Sequence, residues 1–187
     1  MIEPEICFAG LNELFVLIEG YVKFCIDYCF KNVADDMDYF CNLYKMNLKE
    51  KEKQGKPIEG FEDLETYLKK ILETPFRKMS YTEAIEYLKS EIDANNVTFE
   101  KNVEWGDDLG SEHERYICEK LIKGPVFLYN YPKIIKAFYM KRNEDGKTVQ
   151  GTDLLLPFVG EVVGGSVREE RLDVLEESLK ENDLSKE

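Results

Sequence analysis

Histidine and tryptophan are scarce in this chain, and positive charge is scarce relative to its acids. His113 and Trp105 are the one histidine and the one tryptophan among 187 residues. Lys and Arg number 25 against 38 Asp and Glu, a net charge of −13. Phosphate contact needs a positive surface, so this stretch is not itself the main grip on a nucleic acid. Charges interrupt every long apolar run, which argues against a membrane span. The first residues lack the basic-then-apolar order of a signal peptide. There is no Gly-rich turn of the P-loop or dinucleotide type and no Cys-x-x-Cys pair. The five cysteines, Cys7, Cys25, Cys29, Cys41 and Cys118, therefore read as free thiols in a reducing compartment, not as a zinc site or a disulfide framework. The expected location is the cytoplasm.

Hydrophobic content of 43% and aromatic content of 12% suit one globular domain with a real core. Residues 1–8 alternate Ile2, Ile6 and Phe8 with Glu3 and Glu5, the pattern of a strand. Leu11, Leu14, Phe15, Ile18, Tyr21, Val22, Cys25 and Cys29 predict a helix over 11–30, with a shorter one over 34–46. The Lys- and Glu-rich stretch 45–60 reads as a charged surface insertion. A helix is expected at 62–73, stopped by Thr74-Pro75. Ser80 with Glu83, and Ser111 with Glu114, have capping-box spacing ahead of two further helices. Extended segments are expected at 126–131, 134–141, 147–156 and 160–168, with 134–141 and 147–156 joined through the turn Asn143-Glu144-Asp145-Gly146. A closing helix covers 170–181. Locally paired strands with unevenly placed helices define an α+β fold on an antiparallel sheet.

The most informative run is Gly160-Glu161-Val162-Val163-Gly164-Gly165-Ser166-Val167-Arg168. Gly164 and Gly165 remove side chains where something approaches the backbone closely, or else mark a bulge. Glu161 and Arg168 place opposite charges on either side of that gap. Asp153, eight residues before Glu161, sits on the neighbouring strand. Two converging carboxylates can hold Mg²⁺ against phosphate oxygens; the alternative is that Asp153 caps a turn and Glu161 faces solvent. Arg168 offers a planar fork of donors for a carboxylate or an amide oxygen, unless it only pairs with Glu169 or Glu170. His113 reads as a solvent-exposed helix-start residue. Glu112 and Glu114 fit a pocket rim or a helix cap. Phe138 and Tyr139 lie on a strand, so alternation makes one of them core.

Three more segments accompany that run: Ile2-Glu3-Pro4-Glu5-Ile6-Cys7-Phe8-Ala9, Trp105-Gly106-Asp107-Asp108-Leu109-Gly110-Ser111-Glu112-His113-Glu114-Arg115-Tyr116 and Asn130-Tyr131-Pro132-Lys133-Ile134-Ile135-Lys136-Ala137-Phe138-Tyr139-Met140. Their order and spacing resemble the asparaginyl-tRNA synthetases, class II enzymes close to the aspartyl enzymes. The resemblance covers nearly the whole chain apart from roughly 40–75. It implies a class II antiparallel sheet flanked by helices, and in the intact enzyme the use of ATP, Mg²⁺, L-asparagine and tRNA(Asn) by a homodimer. It further implies that Asp153 and Glu161 bind ATP through the metal ion and that Gly164 and Gly165 let adenylate lie against the sheet. Arg168 would contact the side-chain oxygen of the amino acid. Glu3, where aspartyl enzymes tend to carry Asp, would accept hydrogen bonds from the carboxamide NH₂, and Glu5 would support the site. The resemblance implies that the Glu3 carboxylate would repel the side chain of aspartate, with polar mismatch as the source of discrimination.

The resemblance starts at the end of the family's motif 2 and stops before motif 3, so the chain reads as an internal piece of the catalytic domain, with little activity expected of it alone. Gln150-Gly151-Thr152 and Pro157-Phe158-Val159 depart from the family's usual residues beside Asp153. Two other readings remain: an aspartyl-type enzyme, and a synthetase-derived binding protein without catalysis.

Overall fold

The structure, a computed structural model, describes residues 2–56, 60–61 and 63–184. Its centre is a four-stranded sheet in the order β1 (Arg77–Ser80), β2 (Val126–Pro132), β3 (Thr148–Leu156), β4 (Gly160–Ser166). β3 runs antiparallel to both of its neighbours, β2 and β4, while β1 lies parallel to β2 at the edge. β1 follows on the Thr74-Pro75 stop and leads into the helix that starts at Tyr81. The strand expected at 134–141 does not form: Lys133–Ile135 is a 3-10 turn, and only the single bridges Met140–Arg168 and Arg142–Val149 follow it. β3 takes β2 as its long partner instead. β2 supplies consecutive residues without exposed surface, Val126, Phe127 and Leu128, and a two-faced central strand gains more from burial than the Lys-rich 133–141 run could.

Helices cover both faces. α1 (Leu11–Asn32) and α3 (Leu64–Glu73) lie on one face, where Phe15, Ile18, Ile71 and Phe76 pack with Phe127, Leu154 and Leu156. The rings of Phe15 and Phe127 are 4.8 Å apart. α4 (Tyr81–Asp93) and α5 (Ser111–Tyr116) cover the other face, with Tyr81, Ile85, Leu88 and Ile117 against Val126, Leu128 and Leu155. The alternation along β2 and β3 divides their residues between these two cores. α5 runs on into a π-helical stretch, Ile117–Ile122. α6 (Leu172–Glu181) closes the described chain.

The Ser80–Glu83 capping box is present: Glu83 N–H donates to Ser80 Oγ at 3.2 Å, and Ser80 N–H donates to Glu83 at 2.7 Å. Ser111 is not a cap. Gly110 starts α5, and its N–H donates to His113 Nδ1 at 3.1 Å. That bond corrects the expectation for His113, which is buried beneath Phe99 rather than exposed. α2 (Ala34–Lys53) extends past the expected end at 46 and takes up the first half of the charged stretch 45–60. Lys, Glu, Met and Leu are good helix formers, so high charge there signals an exposed helix rather than a loop. Residues 57–59 of that stretch lie outside the described residues. Residues 2–10 form no strand, which corrects the expectation for 1–8; Ile2, Ile6 and Phe8 are exposed. Alternation alone makes no strand without a partner edge.

Candidate functional site

The β3–β4 register brings the two acidic candidates together. Asp153 pairs with Gly164, and Leu155, two residues on and facing the same side, pairs with Glu161. A register shift between Leu154 and Leu155 absorbs the extra residue. A Cβ built on Gly164 would stand 3.0 Å from Glu161 Oε1 and 3.5 Å from Asp153 Oδ1, so both carboxylates close over this glycine. Any side chain there would fill the space between them. Gly165 points the other way. Its Cβ would meet Leu14 Cδ2 at 3.3 Å and Ile18 Cδ1 at 3.8 Å, so this glycine lets α1 approach the sheet rather than lining the acidic side.

Asp153 and Glu161 open into a polar cavity of about 440 Å³, whose wall includes Asp108, Glu114, Tyr131 and Lys136. Lys136 Nζ binds Asp153 Oδ2 at 2.7 Å and lies 4.0 Å from the centre of the Tyr131 ring. Tyr131 is buried, and its hydroxyl faces Asp153 without a hydrogen bond of ordinary geometry among the described residues. Burial, then the charge of Asp153, holds that phenol well above its usual pKa. Glu114 is pushed up to about 7, first by burial and then by the carboxylates of Glu161, Asp153 and Asp108, with Lys136 opposing. Glu161 is raised as well, by desolvation of a carboxylate turned toward the cavity and by Asp153. An excess of acid beside a buried hydroxyl is an environment that a cation with attached oxygens would relieve.

Among the described residues no three His, Cys, Asp or Glu side chains converge into a metal cage. Two carboxylates alone make no cage, and would hold a hard divalent ion only together with water or phosphate oxygens. Asp153, Glu161 and the cavity beside them fit such an ion.

Arg168 stands just past the far end of β4 from Glu161. Its guanidinium stacks on Tyr139 at 4.4 Å and donates to Glu5 Oε1 at 2.8 Å. Tyr139, placed by sequence on a strand, is instead the platform for this arginine. Glu169 is not the partner of Arg168. It is buried and binds Arg171 through both oxygens. Glu3 is exposed, and the carboxylate that reaches Arg168 belongs to Glu5. Tyr131 and Lys136 lie within the segment Asn130 to Met140, and nothing in the sequence gives either a role. The available signal was a lysine two residues ahead of Phe138-Tyr139, which is unremarkable in a chain with 25 basic residues.

An open sheet backed by helices, with paired carboxylates at one end of a strand and a stacked arginine at the other, has the layout of a class II aminoacyl-tRNA synthetase core. A family model described as tRNA synthetases class II (D, K and N) matches residues 1–187, and the chain belongs to this family. It is 48% identical to an asparagine–tRNA ligase of Oleidesulfovibrio alaskensis over 97% of its own length and 35% of the relative's. It is 44% identical to one from Clostridium botulinum, covering 100% of this chain and 36% of that one. Among solved structures, asparaginyl-tRNA synthetase from Pyrococcus horikoshii superposes with a TM-score of 0.71 at 32% identity, over 95% of this chain and 35% of that one. The same synthetase has also been solved with asparaginyl-adenylate, again at a TM-score of 0.71. The chain thus spans about a third of the length of the relatives it matches. Among the described residues no helix is long and apolar enough to cross a membrane.

Proposed function

We propose that residues 1–187 are part of the catalytic domain of an asparagine–tRNA ligase, reaching from the end of motif 2 to before motif 3 and carrying a charged surface insertion at 45–60. The whole protein would join L-asparagine to ATP as asparaginyl-adenylate and transfer the amino acid to tRNA(Asn). The observation that carries this reading is the closure of Asp153 and Glu161 over Gly164 beside an acid-rich cavity. These two carboxylates would hold Mg²⁺, which neutralises charge on the phosphate oxygens during adenylate formation. Gly164 would let the adenylate lie against the sheet. Gly165, named for the same task, would contribute indirectly by seating α1.

At the other end Arg168 would donate to the carboxamide oxygen of asparagine, with Glu3 accepting from its NH₂. Tyr139 fixes the plane of the guanidinium, and Glu5 occupies one of its N–H groups and offsets its charge. A partly neutralised arginine beside a carboxylate suits a neutral amide better than a second carboxylate. The substrate carboxylate is itself the nucleophile, so these residues position and neutralise rather than move protons. His113, buried and bonded to Gly110, takes no part.

The net charge of −13 leaves the grip on tRNA to other parts of the whole protein. Exposed Val16, Phe24, Tyr28, Tyr39, Phe40 and Met46 on α1 and α2 support contact with the rest of the polypeptide or with a second subunit of a homodimer. A cytoplasmic location belongs to the same reading, since all five cysteines are free thiols.

The test is thermal stabilisation by a non-hydrolysable asparaginyl-adenylate analogue, with and without Mg²⁺, beside Arg168→Ala. Saturation at 100 times the dissociation constant stabilises by about 2.7 kcal/mol. Stabilisation that Arg168→Ala abolishes and that the aspartyl analogue fails to produce supports the reading. Equal stabilisation by the aspartyl analogue, or none by either, refutes it for this chain.

A further inference from the structure

Lys136 stands where a cation is needed, and the ligand reading above assigns it no task. Its ammonium is 2.7 Å from Asp153 Oδ2, with side-chain exposures of 19% and 10% for the pair. It is also 4.0 Å from the centre of the Tyr131 ring, so its charge is met from two directions. The buried Tyr131, whose hydroxyl has no hydrogen bond of ordinary geometry among the described residues, lines the same cavity, as do Glu114 and Glu161. Among the described residues Lys136 is the charge partner of Asp153, while acids outnumber cations on the wall of the cavity.

We propose that Lys136 is a placeholder cation: it neutralises Asp153 until a divalent ion arrives, then releases Oδ2 while keeping the Tyr131 ring as its second support. The inference rests on reading Asp153 and Glu161 as divalent-ion ligands. A lysine suits the role because its ammonium is a compact charge on a flexible four-carbon stem, able to change partners without backbone movement. The aromatic face retains the cation after the carboxylate is lost, so release does not leave a bare charge in a partly dry pocket. The ammonium is then positioned to meet phosphate oxygens that accompany the ion. Lys136 acts through Asp153 and is a positioning residue. One consequence is that occupancy by a divalent ion without nucleotide is held down, because the ion must displace a resident partner.

The experiment titrates the full chain with Mn²⁺, following free Mn²⁺ by electron paramagnetic resonance, for the unaltered protein, Lys136→Met, Lys136→Arg, Lys101→Met and Asp153→Asn. Lys136→Met is expected to bind Mn²⁺ about tenfold tighter, roughly 1.4 kcal/mol. Lys136→Arg keeps the ion pair and should bind no tighter than the unaltered chain. Lys101→Met removes a charge from the same cavity wall without touching Asp153, and should change affinity by less than about threefold. Equal gains from Lys136→Met and Lys101→Met would reduce the effect to general charge and overturn the placeholder. Unchanged or weaker binding by Lys136→Met would overturn it too. Binding absent from the unaltered chain and from Lys136→Met, or undiminished in Asp153→Asn, would instead refute the divalent-ion reading on which the proposal rests.

A second readout needs no variant. The side-chain ¹⁵Nζ signal of Lys136 should be slow to exchange in the apo protein and become solvent-exchanging as Mg²⁺ is added. A signal that stays protected at saturating Mg²⁺ would show that Asp153 is never released.

Discussion

Replacing Glu169 by Gln should cost about 3 kcal/mol of folding stability at neutral pH. Glu169 Oε1 accepts from Arg171 Nε at 2.8 Å and from Arg171 N at 3.2 Å. Oε2 accepts from a second Arg171 nitrogen at 2.8 Å and from Arg142 N at 3.0 Å. The side chain has no exposed surface. These donors, with the Arg171 guanidinium first, hold the carboxyl at about 2 against an ordinary 4.5 despite the opposing effect of burial. At 1.36 kcal/mol per pKa unit the difference corresponds to about 3 kcal/mol, near the lower end of what breaking a buried charged pair costs. The pH window follows from the depressed pKa. The contribution is full above about 4.5 and is lost as pH falls toward about 2. Urea denaturation of both proteins at pH 7, 4 and 3 reads it directly. The gap between them should be widest at pH 7 and shrink at pH 4 and 3. A difference under about 0.5 kcal/mol at pH 7, or one that persists undiminished at pH 3, would refute the account. Glu169 also ties the residue after Arg168 to the start of α6 and to Arg142, so the same variant should weaken binding of an asparaginyl-adenylate analogue at a temperature where it is still folded.

Glu114→Gln should have the opposite pH behaviour. A carboxyl raised to about 7 by burial and neighbouring acids stabilises the fold most below about 4.5 and loses that contribution as pH rises to about 7. The variant should therefore gain about 1–2 kcal/mol over the unaltered chain at pH 8 and almost nothing at pH 4.5, measured by denaturant titration at each pH. Gly165→Val should cost about 1–3 kcal/mol by forcing α1 off the sheet, since even a Cβ meets Leu14 at 3.3 Å; a melting temperature within a degree of the parent would contradict this. Ser80→Ala should cost about 1 kcal/mol through loss of the α4 cap, again read by denaturation.

The helices were legible because their evidence is local. Apolar spacing marked α1, α3, α4 and α6, and the Ser80–Glu83 pair marked a cap that is present. The strand partnerships were not legible. Nothing in the sequence says that β2 pairs with both β1 and β3 while 133–141 contributes only isolated bridges, because pairing is decided by which segment has two faces to bury. Patterning misled at residues 2–8, which pair with neither edge of the sheet, and in the charged run after 45, which forms helix. Glu161, Asp153 and Arg168 were candidates by residue type, and the family resemblance rather than spacing singled them out. Lys136, Tyr131 and the part played by Glu5 did not, since each depends on a contact made across the fold. The two adjacent glycines show the limit most sharply: identical in sequence, they face opposite sides of the sheet and serve different ends.

The distribution of charge along β4 would suit the two unlike ends of the proposed ligand. The excess of acid lies at the Glu161 end, where Asp108, Glu114 and Asp153 join it and Lys136 offsets only part of it. At the other end Arg168 is balanced by Glu5 and stacked on Tyr139, so its field is nearly neutral at close range. A polyanion brought in with a divalent ion is favoured at the first end and gains little at the second, whereas a neutral amide loses little solvation at the second and finds oriented donors there. On the proposed reading, orientation along the strand would follow from electrostatics before any contact is made. Gly164 keeps the acidic end of that track clear, and Gly165 fixes the height of α1 behind it. The two requirements fall on neighbouring residues because successive positions in a strand face opposite sides.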